Sequence, residues 1–212
     1  MKITIEQAGS LLNQAGYRVT VVNKHLKQVV PPYEGYEEVK KDGEKWVYRR
    51  VFVERTNTPY TQTMKEFVTE EEAATYYLLK SLSSHYRNTV ITPLKLNHNI
   101  DFDPDVADVD MLYQSLQTAG IPKSTLYFNQ PPRGTCMHLS QVNDSEWILS
   151  LVSKGKIVKS SVPIDDLPWG LFSTFNRTFL LHLFLTEVPK LLQSEGITEQ
   201  LTDEEMSIFI FG

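Results

Sequence analysis

Three aspartates in IDFDPDVADVD, at Asp101, Asp103 and Asp105, have the alternating spacing that opens a calcium-binding loop. Such a loop needs glycine at its sixth position, for the sharp turn, and a bidentate glutamate at its twelfth. Here those positions hold Val106 and Leu112, so the motif fails at both determining places. The segment is expected to be a solvated acidic stretch that holds no metal and faces a basic partner. Cys136 and His138 form a second combination with chemical potential. On a strand their spacing puts both on one face, but a thiolate–imidazole pair also needs a third group to orient the base. No such group or glycine-rich elbow accompanies them, so Cys136 reads as a structural cysteine. His182, inside the apolar run FLLHLFL, reads as a core histidine. The chain has no dinucleotide-binding glycine pattern, phosphate loop, zinc-protease pair or nucleophile elbow. The expectation is a protein without catalytic residues, cofactor or metal.

A different kind of chemistry sits at PPYEGYEEV, residues 31–39. Two prolines and a glycine predict a loop. Tyr33 and Tyr36 offer large contact area with few rotatable bonds, and Glu34, Glu37 and Glu38 would steer toward a basic surface. With Asp101, Asp103 and Asp105, these five residues are the expected partner contacts.

The chain of 212 residues carries a formal net charge of −5. That balance argues against a nucleic-acid binder, which displaces counterions from phosphate with clustered Lys and Arg. One cysteine permits no internal disulfide and no thiolate zinc cage. The start MKITIEQAGS lacks the basic and apolar regions of a signal peptide. FLLHLFL is far shorter than the roughly 20 apolar residues a bilayer span requires. The expected setting is cytoplasmic, with no membrane or nucleic-acid partner.

The elements that must position these residues follow from periodicity. TIEQAGSLLNQA predicts a helix capped by Thr4 and ended at Gly16, and YRVTVV predicts a strand. WVYRRVFVE at 46–54 and YTQTMKEFV at 60–68 predict a hairpin around RTNTP. TEEEAATYYLLKSL predicts a helix with a Thr69–Glu72 capping box. After residues 88–107, taken as a connection, the scheme repeats. DVDMLYQSLQTAG is a helix ending in Ala-Gly, STLYFN is a strand and QPPRG is a loop. TCMHLSQV reads as an extra strand, EWILSLV and KIVKSSV as a hairpin. LFSTFNRTFLLHLFLTEVPKLLQSE reads as a long helix that Pro189 kinks or ends. Thr202 with Glu205 caps a last short segment. The expected fold is α+β: two tandem α-β-β-β-α modules, each a small antiparallel sheet packed by helices. The first spans 1–87 and the second 108–212.

EKWVYRRVFVER, a second strand and EFVTEEEAATYYLLKSL together resemble the small α+β immunity proteins of bacterial polymorphic toxin systems. The likeness covers 44–82, and 146–185 in outline. It implies a non-enzymatic cytoplasmic immunity or antitoxin-like protein that binds and neutralises a partner toxin domain, with no catalytic residues carried over. Two other readings remain open: a phage or mobile-element accessory protein that binds a host enzyme, and an enzyme of unrecognised type.

Overall fold

The computed structural model describes residues 1–53, 58–98, 100 and 108–212. The fold is α+β, with one five-stranded and one four-stranded sheet plus helices. The chain divides into two compact units. One comprises Met1–Leu82 and Lys190–Glu205, the other Ser83–Pro189 and Met206–Gly212. These differ from the expected modules, because 190–205 joins the first unit.

In the first unit, helix α1 (Ile5–Gln14) repeats apolar residues at helical spacing and buries Ile5, Ala8, Leu11 and Leu12. Thr4 Oγ1 accepts the Gln7 N–H at 3.2 Å, and Gln7 Oε1 accepts the Thr4 N–H at 3.0 Å, a reciprocal cap. The helix closes through Gly16 at φ +87°. There the Tyr17 N–H reaches back to the Leu12 carbonyl.

Five strands follow as an antiparallel meander: β1 (Val19–Val22), β2 (His25–Gln28), β3 (Tyr36–Asp42), β4 (Lys45–Phe52) and β5 (Tyr60–Phe67). Asn23 and Lys24, both at positive φ, make the tight β1–β2 turn, and Gly43 at φ +61° opens the β3–β4 turn. The sequence reading took 31–39 as a loop. Instead Tyr36–Asp42 is a strand, with Tyr36 opposite Val51 and Asp42 opposite Lys45. The β-branched and aromatic residues of β4 fit both its faces, since Trp46, Val47, Tyr48 and Val51 are all buried.

Helix α2 (Glu70–Tyr86) begins at the expected capping box, where Thr69 Oγ1 accepts the Glu72 N–H at 3.2 Å. It lays Ala73, Ala74, Tyr77 and Leu78 into the core. The Tyr77 hydroxyl donates to the Glu37 carbonyl at 3.0 Å, fixing this face over β3.

In the second unit the end of α2 runs on through a π turn, Arg87–Ile91, into α3 (Thr92–Asn97). Residues 88–97 are therefore helical rather than a loose connection. Pro93 explains the π turn. It has no N–H to give, and its ring would clash with the carbonyl four residues back, so the chain widens there and the Thr92 N–H donates to the Arg87 carbonyl. Helix α4 (Val109–Thr118) starts on Asp108, whose carboxylate accepts the Met111 N–H at 2.8 Å, and ends through Gly120.

The four-stranded sheet runs β6 (Leu126–Phe128), β7 (Cys136–Asn143), β8 (Glu146–Ser153) and β9 (Lys156–Ser160). Here β6 and β7 pair parallel, the others antiparallel. This sheet therefore differs in strand number and topology from the first, and neither unit has the three-stranded antiparallel sheet expected. Helix α5 (Leu167–Thr186) starts earlier than its apolar run, because Asp166 caps it and Pro168 fits the first turn. It packs Leu171, Phe175 and Phe179 into the core. Before Pro189 the single long helix of the sequence reading breaks, and α6 (Val188–Ser194) follows. Helix α7 (Asp203–Phe211) starts at the Thr202–Glu205 cap. Among the described residues no helix is long and apolar enough to cross a membrane.

Candidate functional site

Pro31, Pro32, Tyr33 and Glu34 form a β-turn, with the Glu34 N–H donating to the Pro31 carbonyl at 3.3 Å. Proline supplies the first central residue, where its fixed φ is already correct. Tyr33 occupies the second at φ +70°. That position belongs to the left-handed region and normally goes to glycine, because a side chain there crowds its own backbone. The turn thus holds a tyrosine in a strained conformation and leaves it 67% exposed.

Beside it lies an open groove of about 360 Å³ in the first unit. Its walls include Thr20, Lys27, Val29, Pro32, Tyr33 and Tyr36. Lys27 Nζ stands 3.9 Å from the centroid of the Tyr36 ring, a cation–π contact that fixes the tyrosine against the sheet. Among the described residues, Glu34 is the one carboxylate along this groove.

The structure separates the five candidate contact residues within PPYEGYEEV. Tyr33, Glu34 and Tyr36 meet at the groove. Glu37 and Glu38 lie on β3 and point to opposite faces, as alternation along a strand requires. Glu37 Oε1 accepts from Arg50 Nη2 at 2.8 Å, and its carboxylate raises neighbouring phenols. Burial, with Glu37 adding to it, pushes the Tyr17 phenol up to about 12, and the deeply buried Tyr77 moves in the same direction. Glu38 is 3% exposed, with His25 Nε2 at 2.9 Å and Lys40 Nζ at 3.4 Å from its oxygens. These two glutamates are internal ion-pair partners, and a steering role on an open surface is not available to Glu38. Asp101, Asp103 and Asp105 lie outside the described residues.

Lys27, Thr20 and Val29 complete the groove, and the sequence reading did not include them. Their signal was present: Asn23-Lys24 between two short β-branched or mixed runs is a hairpin turn, and folding β2 back places Lys27 beside the tyrosines.

The thiol candidate behaves as a core residue. Cys136 is fully buried opposite Val152, and burial pushes its thiol up, away from the thiolate a nucleophile needs. Burial also lowers His138, which disfavours its charged form. Among the described residues no group of three or more His, Cys, Asp or Glu is placed to hold a metal ion. No protein family, curated protein or solved structure matches the chain.

Proposed function

We propose that the protein is a non-enzymatic immunity or antitoxin-like protein of the bacterial cytoplasm, which neutralises a partner toxin domain by binding over its working surface. The observation that carries this reading is Tyr33. A left-handed, mostly exposed tyrosine at the rim of an open groove contributes little to the core and is held at a conformational cost. Such strained positions cluster at active sites and ligand clamps, where the surrounding structure holds them in place.

Tyr33 and Tyr36 are rigid amphipathic anchors of the type that dominates binding energy, and the groove between them accepts one large side chain of the partner. Glu34 at the edge favours a basic residue next to that anchor. The docked segment is therefore an aromatic or aliphatic side chain beside a lysine or arginine on the toxin domain. A stable complex of this kind buries about 1,200–2,000 Å² in total, so the groove is its centre and not its whole extent. The tandem origin expected from the sequence belongs to the same proposal, supported by the two opening helices that both close on Ala-Gly.

The test is a double substitution, Tyr33→Ala with Tyr36→Ala. Partner affinity measured by biolayer interferometry falls at least about a hundredfold, the loss of two anchors at roughly 1.4 kcal/mol per decade. An affinity unchanged within about twofold removes the groove from the interface.

A further inference from the structure

The second unit gathers three cations around the end of α7. Arg87, the first residue of the π turn, donates from Nη2 to the Ile210 carbonyl at 3.3 Å. Arg177, on α5, stacks its guanidinium 4.6 Å from the Phe211 ring centroid, and Lys159, on β9, places its ammonium 5.5 Å from the same ring. Phe209, buried between Tyr86 and Phe184, anchors the helix that presents this ring.

Among the described residues, no carboxylate lies within ion-pair distance of Arg87, Arg177 or Lys159. Arg87 Nε is buried without an acceptor. Both guanidiniums are half-buried and lowered by desolvation, and Arg177 is lowered further by the charge of Arg87. The carboxyl end of α7 offsets part of this, but a helix end is worth only about half a charge against three. In a chain of net charge −5, three uncompensated cations at one spot are not what average composition produces.

The geometry points to a binding site for a phosphoryl-type oxyanion, held between Arg177 and Lys159 with Arg87 behind them. A dianion neutralises most of the local charge and accepts from the N–H groups that the protein leaves unused. The inference is independent of the toxin-binding reading and stands or falls without it.

The experiment is thermal unfolding of the full chain during titration with inorganic phosphate, at ionic strength held constant with chloride. The wild-type melting temperature rises and saturates. In Arg177→Gln the half-saturating concentration increases by at least about tenfold, as expected for loss of a charge-assisted anchor. Without phosphate, Arg177→Gln melts at or above the wild type, because the repulsion from Arg87 is gone. A purely structural arginine would instead lower it. Lys159→Gln, on the exposed strand, repeats the phosphate test without touching a buried group. Phenyl phosphate in a parallel titration distinguishes free phosphate from an esterified phosphoryl group: a shift by phosphate alone assigns the first, a shift by both the second. A wild-type melting temperature that does not respond overturns the site, as does a response to phosphate in both Arg177→Gln and Lys159→Gln that equals the wild type's.

Discussion

Replacing Tyr33 by glycine separates strain from contact. A residue with a Cβ in the left-handed region costs about 1–2 kcal/mol relative to its relaxed backbone, and Tyr33 sits there at φ +70°. Glycine removes that cost but gives the unfolded chain more freedom, worth about 0.4–1 kcal/mol in the opposite direction. The side chain is 67% exposed, so it gains only about a third of the 1.5–3 kcal/mol that full burial would give. Tyr33→Gly therefore unfolds within about 1 kcal/mol of the wild type. Tyr33→Ala keeps the strain and loses the contact, which makes it about 0.5–1 kcal/mol less stable than Tyr33→Gly. This inverts the usual order, in which alanine is the more stabilising of the two. Urea denaturation of the three proteins, with a common slope, reads the difference directly. If Tyr33→Ala is the more stable variant by the ordinary margin, the turn holds no strain at Tyr33 and the argument from it fails.

Other predictions test the packing of each unit. Glu38→Ala leaves His25 and Lys40 facing a buried space without a carboxylate, and chemical denaturation should show a loss of about 1–3 kcal/mol. Phe175→Ala empties part of the second unit's core and should cost about 3–5 kcal/mol by the same method. Tyr17 has its folded pKa raised from 10.0 to about 12, so its neutral form stabilises the native state fully below pH 10. That contribution is lost as pH rises from 10 to about 12, and Tyr17→Phe should flatten this part of a stability–pH curve. Cys136 should resist a thiol reagent in the native protein and react at once in urea, since its sulfur is buried.

The readable parts of the fold were those governed by local chemistry. Thr4 with Gln7, Thr69 with Glu72 and Thr202 with Glu205 each set a helix start through a side chain three residues away. Gly16 and Gly120 ended helices because left-handed closure is local too. The hairpin of β8 and β9 was visible in Lys154-Gly155, both at positive φ. What escaped depended on pairing at a distance. Tyr36–Asp42 is charged and flanked by proline and glycine, so its propensity reads as loop. It becomes a strand because β2 and β4 supply hydrogen-bond partners on both sides. Asp-Gly at 42–43 was the available hint. At the site, the tyrosines of the groove were legible from their exposed, proline-rich setting. The fates of Glu37 and Glu38 were not, since strand alternation sends one toward Arg50 and the other toward His25. Arg87 and Arg177 lie 90 positions apart in sequence, and only the tertiary fold brings them to the end of one helix.

The central claim is recognition of a partner through the groove at Tyr33. Its most direct test is quantitative affinity capture from the cells that encode the protein, with wild type and Tyr33→Gly side by side. The account predicts one protein, bearing a toxin-like domain, in equal molar amount with the wild type and lost with the variant. Equal capture by both proteins, or recovery of the bait alone with the wild type, contradicts it.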